Sequence, residues 1–204
     1  MKGKFITFEG SEGCGKSTQS RLLYEYLKKN NLKAIYLREP GGTEVGEKIR
    51  DILLDNGNTV ISSECEMLLY MAARAQLVSE VIKPMLKKGI IVVCDRFLDS
   101  TIAYQGYGLG MDIGPLKYIG KLATENIQPN LTIFLDLPLK DGLRHRKLKE
   151  DRIEKRSLSY HNRVRKGYLA LAARDPLRIK IVKVDKDKNK TQERIRELAQ
   201  RYVF

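Results

Sequence analysis

Eight residues near the start of the chain, Gly10-Ser11-Glu12-Gly13-Cys14-Gly15-Lys16-Ser17, place three glycines, a lysine and a hydroxyl at a spacing with a definite chemical use. In Gly-x-x-x-x-Gly-Lys-Ser/Thr the glycines let backbone amides turn inward around phosphate oxygens, and the positive end of the following helix adds to them. Lys16 is placed to reach the β- and γ-phosphates and Ser17 to ligate Mg²⁺. Thr18 stands toward the α-phosphate side. Cys14 is there because the motif puts it there, with no thiol chemistry implied. The chemistry expected of this segment is the holding of ATP with Mg²⁺.

Asp95-Arg96 follows a second apolar run. Phosphate and metal chemistry is one reading of the pair, and a structural ion pair beneath a sheet edge is the other. Between residues 140 and 166 stand eleven Lys or Arg against four Asp or Glu, contributing +7 of the net +13. Such a run is either a solvated helical face or a surface for anions.

These groups need elements to position them. Phe5-Ile6-Thr7-Phe8 reads as a buried strand leading into the glycine loop, and residues 17–29 have helical periodicity through Leu22, Leu23, Tyr26 and Leu27. A second unit follows, with a strand at 34–37, a turn at Glu39-Pro40-Gly41-Gly42-Thr43 and a helix at 45–54. Residues 62–88 read as one long helical stretch, with Ser63 and Glu66 forming a capping box, Gly89 as a stop and Pro84 as a point of kinking or splitting. Ile90-Ile91-Val92-Val93-Cys94 is continuously apolar, as in a strand covered on both faces. Further strands are expected at 131–135 and 179–184, the last alternating as an edge strand does. Helical segments are expected at 139–149, 158–174 and 190–202.

Strands separated by helices predict an α/β fold, with a five-stranded parallel sheet and helices on both faces. Ligands then sit at the strand C-termini, where Gly10, Arg38, Asp95 and Asp136 all fall. The 204 residues, 42% hydrophobic and 31% charged, suit a single domain spanning 1–204. No run approaches the ~20 apolar residues of a membrane span, and Met1 to Phe5 lacks a signal-peptide pattern, so a cytoplasmic protein is expected. Cys14, Cys65 and Cys94 have no metal or disulfide spacing. The charge of +13 attracts polyanions, nucleic acids and nucleotides alike. Guanine selection finds no support, because Asn189-Lys190 is followed by Thr191-Gln192, and Asp95 has no glycine three residues later.

The chain resembles the thymidylate kinases over nearly its whole length. The resemblance is carried, in order, by Phe8-Glu9-Gly10-Ser11-Glu12-Gly13, Arg38-Glu39-Pro40-Gly41-Gly42-Thr43, Ala72-Ala73-Arg74, Asp95-Arg96-Phe97, Ser100 to Gln105, and Asp151-Arg152-Ile153-Glu154. It implies a P-loop kinase fold with a basic lid at about 140–156, and transfer of the γ-phosphoryl group of ATP to dTMP. By the same resemblance Arg96 binds the acceptor phosphate, and Asp95 acts near Mg²⁺ and the attacking oxygen. Glu12 is directed at the acceptor sugar or the phosphate–metal shell.

The implied acceptor pocket uses Tyr70 and Arg74 for the base, with Ser100 and Thr101 beside them. Tyr104 crowds the ribose 2′ side next to Gln105, and Arg38 lies near the phosphate. Ordinary core packing remains an alternative for Tyr70, Tyr104 and Gln105, and a plain β–α turn for Arg38 and Glu39. Some members of the family carry an arginine in the loop after the acidic residue. Here that position is Gly13, which leaves Arg144, Arg146 or Arg152 of the lid to supply the cation over ATP, although the lid is slightly short between Arg146 and Asp151. The resemblance also implies a homodimer, with the 62–88 helix a candidate interface, and neither nucleic-acid nor membrane partners.

Overall fold

The expected apolar runs form five parallel strands in the computed structural model, which describes residues 3–58, 60–143 and 150–203. The strands are β1 (Phe5–Glu9), β2 (Ala34–Arg38), β3 (Ile91–Asp95), β4 (Leu131–Asp136) and β5 (Ile179–Lys183), in the spatial order β2-β3-β1-β4-β5. The order reverses beside β1, where β3 lies on one side and β4 on the other. Phe8 pairs with Asp95 in this register, so the glycine loop after β1 and the Asp95-Arg96 turn after β3 leave the same edge side by side.

Alternate residues of the sheet supply two cores. Ile6, Phe8, Val93 and Ile133 pack with Leu23 and Leu27 of α1 (Lys16–Lys29) and with Ile195 and Ala199 of α9 (Lys188–Val203). On the opposite face Phe5, Val92 and Cys94 meet Leu77, Val78, Ile82 and Phe97. Phe134 and Ile179 pack there with Tyr168 of α8 (Leu158–Arg174). β5 is at the edge, as its alternation predicted, and Ile181 is half exposed. No helix among the described residues is long and apolar enough to cross a membrane.

Three local expectations change. The 62–88 stretch divides into α3 (Ser63–Leu77), a π-helical turn (Val78–Ile82) and α4 (Lys83–Lys87), and Pro84 sits in the first turn of α4. The N-cap of α3 is Ser62, whose side chain accepts from the Cys65 amide, and Glu66 closes no capping box because its carboxylate is committed elsewhere. Residues 98–123, given no element from periodicity, form α5 (Leu98–Thr101), a π-helical segment (Ile102–Gly108) and α6 (Ile113–Ala123). Asp99 to Gly106 are buried almost continuously, so there is no polar face to reveal the helical period. Of the helix expected at 139–149, α7 covers Leu139–Leu143, and the rest falls outside the described residues. α2 (Glu44–Leu54) is as expected, capped by the Thr43 hydroxyl on the Gly46 amide.

A buried ion pair ties α5 to the start of β5. Arg178 donates to both oxygens of Asp99 at 2.6 and 3.0 Å and to the Thr132 hydroxyl at 2.9 Å, while its Nε meets Asp175 at 2.7 Å. Removing one member of such a pair leaves an uncompensated buried charge. Asp99→Ala should therefore lower unfolding stability by about 3 kcal/mol, read as a lower urea midpoint at an unchanged slope.

Candidate active site

The glycine loop is built for close approach. Gly13 and Gly15 have φ of 73° and 86°, backbone that side chains rarely adopt, and a Cβ on Gly13 would come within 2.1 Å of the Gly142 carbonyl of α7. Gly15 is the N-cap of α1 and no side chain caps the helix, so its first amides point toward the loop. Lys16 is almost wholly buried, and its Nζ donates to the Ser11 carbonyl at 2.8 Å, which arches the side chain over the loop. Cys14 is a buried thiol raised by that burial despite Lys16 and Arg96 nearby, which fits a packing role.

Ser17 Oγ lies 2.5 Å from Asp95 Oδ2, and Asp95 Oδ1 is buried without a hydrogen-bond partner among the described residues. One hydroxyl and one under-used carboxylate suit a hard divalent cation that keeps waters and phosphate oxygens in its shell. Among the described residues no group of three or more His, Cys, Asp or Glu side chains could hold a metal ion.

Arg96 is the centre of the site. Its backbone is left-handed at φ 73°, and its amide donates to the Phe8 carbonyl. Nη2 donates to Glu12 at 2.5 Å and to Tyr104 OH at 3.0 Å. Nη1 donates to the Gly10 carbonyl, Ser100 Oγ and Tyr168 OH at 3.2 to 3.3 Å. Beneath it Glu9, wholly buried, accepts from the Phe97 amide at 2.8 Å, Ser100 Oγ at 2.6 Å and Tyr168 OH at 2.8 Å. Ser100 Oγ and Tyr168 OH also lie 2.8 Å from each other, so the two hydroxyls and Glu9 form one linked set beneath Arg96. Glu9 thus shapes Arg96 without touching the cavity.

Burial alone would raise the Glu12 carboxyl, but Arg96 and Lys16, helped by the Tyr104 hydroxyl, outweigh it and hold the group down at about 2. Glu9 goes the other way. Burial, reinforced by Asp99, pushes it up to about 7 against the Ser100 hydrogen bond and the Arg96 charge.

These residues line one cavity of about 1090 Å³. Nucleotide-sized ligands occupy clefts of about 300–1,000 Å³, so there is room for more than one. One end runs from the loop (Gly13 to Gln19) to Val184, Asp185 and Lys186 after β5. The other is walled by Arg38, Pro40, Leu54, Tyr70, Ser100, Thr101, Tyr104 and Gln105, with Asp151, Ile153 and Glu154 across from them. Arg96 and Glu12 stand in the same lining.

Most site residues expected from the sequence meet here, with two displaced. Arg74 is 1% exposed and does not line the cavity. Its guanidinium braces Glu39, Thr101 and the Phe97 carbonyl at 2.7 to 3.1 Å, with a weaker contact to Met71 Sδ at 3.4 Å. Arg152, expected over ATP, is turned the other way, to Glu66 at 2.6 Å and the Leu53 carbonyl at 2.9 Å. A wholly buried carboxylate demands a cation, and Glu66 takes this one. Arg144 and Arg146 lie outside the described residues. Arg38 reaches the rim, paired with Glu47 at 2.9 Å.

Sequence reasoning missed Glu9, Arg50 and Tyr168. Arg50 lines the cavity, its Nη1 on the Pro40 carbonyl at 2.9 Å, and its pKa is lowered by burial and by neighbouring Arg38. Glu9 stands next to the loop motif and could have been asked why a carboxylate ends a buried strand. Tyr168 carried no comparable signal, because its partner is 159 residues away.

A parallel sheet with a phosphate-binding loop, an adjoining Asp-Arg turn and one two-ended cavity defines an ATP-dependent nucleotide kinase of the P-loop class. The family model for thymidylate kinase matches residues 8–195. A thymidylate kinase of Thermoanaerobacter sp. (strain X514) is 45% identical over 204 residues, covering 100% of each chain. One from Kosmotoga olearia is 49% identical over 180 residues, 87% of this chain and 86% of the relative. The crystal structure of thymidylate kinase from Ehrlichia chaffeensis superimposes with a TM-score of 0.82 at 33% identity, covering 98% of this chain and 100% of that one. The chain belongs to the thymidylate kinase family.

The raised Glu9 has a pH signature. A carboxyl whose folded pKa exceeds its unfolded value contributes stability that is full below the unfolded value and is lost as pH rises through the folded one. Between about pH 4.5 and about 7 the unfolding free energy should therefore fall more steeply with pH in the wild type than in Glu9→Gln, as urea titrations at several pH values would record.

Proposed function

We propose that the chain transfers the γ-phosphoryl group of ATP to dTMP, giving dTDP and ADP, with Mg²⁺ as cofactor. The observation that carries this reading is the pairing of Phe8 with Asp95, which sets Lys16 and Arg96 around Glu12 inside one cavity with two ends. Lys16 and the α1 amides receive the donor phosphates. Ser17 and Asp95 would hold Mg²⁺, which supplies charge neutralisation between the phosphates.

Arg96, kept charged and oriented by Glu12, Ser100 and Tyr168, receives the acceptor phosphate. That phosphate has a second pKa near about 6 and is largely a dianion at neutral pH, so no strong general base is required. Alignment and charge stabilisation then carry the rate. Glu12, ionised across the working range, sets the Arg96 fork and repels any phosphate oxygen that is out of line. Tyr70 and Pro40 face the base and Tyr104 the sugar, while Arg74, which does not line the cavity, braces Thr101 and Glu39 behind that wall. Of the three lid arginines expected over ATP, Arg144 and Arg146 take that task.

A coupled assay with ATP and Mg²⁺ across dTMP, dUMP, dGMP, dCMP and UMP should show dTMP as the preferred acceptor. Lys16→Ala and Arg96→Ala should each lower kcat/KM by about 10²-fold or more. Phosphorylation of thymidine without phosphorylation of dTMP would overturn the assignment and favour a deoxynucleoside kinase.

The same reading includes a homodimer. Leu68 of α3 and Tyr118 and Leu122 of α6 are 52%, 76% and 76% exposed on two helices that pack together through Met67, Met71, Leu116 and Ala123. Large apolar side chains left open on adjoining helices suit a second copy of the chain. Sedimentation should show a dimer that Leu122→Glu weakens, and a monomer at every concentration would remove this part.

A further inference from the structure

Glu66 is wholly buried on α3, yet three polar side chains from two other parts of the chain end on it. Its Oε2 accepts from Arg152 Nη2 at 2.6 Å and from Arg156 Nη2 at 2.7 Å, and its Oε1 accepts from Gln105 Nε2 at 2.9 Å. Gln105 belongs to the π-helical segment that walls the acceptor end, and Asp151 and Ile153, on either side of Arg152, line the facing wall. Tyr70, one turn beyond Glu66 on α3, lines the same end.

We propose that Glu66 is a positioning residue for the acceptor nucleotide, one carboxylate that sets the spacing between the Gln105 wall and the 151–154 wall of the pocket. The proposal rests on the reading of that end as the dTMP site.

The geometry leaves little freedom. Arg152 is held a second time by its Nε on the Leu53 carbonyl, and its amide bonds to the Leu54 carbonyl. Asn56 Nδ2 donates to the Glu150 carbonyl at 3.1 Å, so the start of the 150–156 segment is stitched to the end of α2. Arg156 stacks over Tyr160 at 4.7 Å and donates to its hydroxyl at 3.0 Å. Within the segment, Asp151 Oδ1 accepts from the Ile153 and Glu154 amides, and Glu154 Oε2 accepts from the Asp151 amide, forming a compact turn.

Two guanidiniums converge on one carboxylate, so withdrawing that charge leaves two cations facing each other in a partly buried space. The turn must then move outward and the acceptor pocket widen. Among the described residues the bonds of the Glu66 carboxylate go to Gln105, Arg152 and Arg156 and not to the glycine loop, and the donor end should be unaffected.

The test compares wild type, Glu66→Gln, Glu66→Asp and Arg152→Gln by steady-state kinetics, with dTMP and ATP binding measured by calorimetry and folding by thermal melts. Glu66→Gln should raise the KM and Kd for dTMP about tenfold or more while those for ATP stay within about twofold. Glu66→Asp, which keeps the charge, should recover part of the loss. Arg152→Gln should reproduce the dTMP effect, and the double variant should be no worse than either single one, because all act through one cluster.

Unchanged dTMP affinity in a folded Glu66→Gln would overturn the proposal. So would an Arg152→Gln that lowers kcat with dTMP affinity intact, since that would return Arg152 to the transferring phosphoryl group. Parallel loss of ATP and dTMP affinity would reduce Glu66 to a general structural role and also overturn it. Absence of dTMP binding by the wild type would instead remove the functional reading on which the proposal rests.

Discussion

A guanidinium set at the edge of a parallel sheet, only 17% exposed, has to be surrounded by acceptors before it can wait for a ligand, and this requirement at Arg96 organises the molecule. Five partners meet it: Glu12 from the phosphate loop, Gly10 from the loop's backbone, Ser100 and Tyr104 from the segment after β3, and Tyr168 from α8. The acceptors come from parts of the chain far apart in sequence. Holding them together requires the sheet order that sets β1 beside β3, and the packing of α8 against the π-helical segment. The left-handed backbone of Arg96 follows from the same demand. The chain must turn sharply after β3 to bring the side chain over the loop, and Glu9 holds the next amide in place.

The carboxylates divide the work by environment. Glu12, between two cations, stays ionised far into acid and aims the guanidinium. Glu9, buried with Asp99 nearby, is far less acidic and acts from below through two hydroxyls. Asp95, bonded to Ser17 through one oxygen, keeps the other without a partner among the described residues. Three acidic groups around one phosphate-transfer centre would repel the substrates if all were exposed and equivalent. Pairing one, burying the second and leaving the third for a cation removes that conflict.

The parts of this arrangement visible in the sequence are those whose function depends on local spacing. Gly10 to Ser17 must follow a strand and open a helix, the continuous apolar run at 90–94 had to be covered on both faces, and the alternation of 179–184 marks an edge, so loop, sheet and edge strand are legible in the sequence. The helices of 98–123 escaped because Asp99 to Gly106 are buried on nearly every side and show no amphipathic period. Glu66 was read as half of a capping box because its spacing from Ser63 fits one. Its commitment to Arg152 and Arg156, 86 and 90 residues away, overrides that local use. Arg74 and Arg152 were legible as functional arginines, but where their forks point depends on Glu39 and Glu66, whose burial no local pattern discloses.

Both displaced arginines share a physical cause. Glu39 lines the acceptor end and Glu66 is buried behind it, and each holds an arginine that resemblance would send into the cavity. The acceptor end is thereby built from cations turned into the protein, while those left facing the cavity, Arg38, Arg50 and Arg96, gather near the turn after β2 and the turn after β3. Arg38 and Arg96 there are already paired with Glu47 and Glu12, while Tyr70, Leu54 and Thr101 line the rest of that end. The basic groups at the junction with the phosphate loop suit a nucleoside monophosphate whose phosphate lies toward the donor.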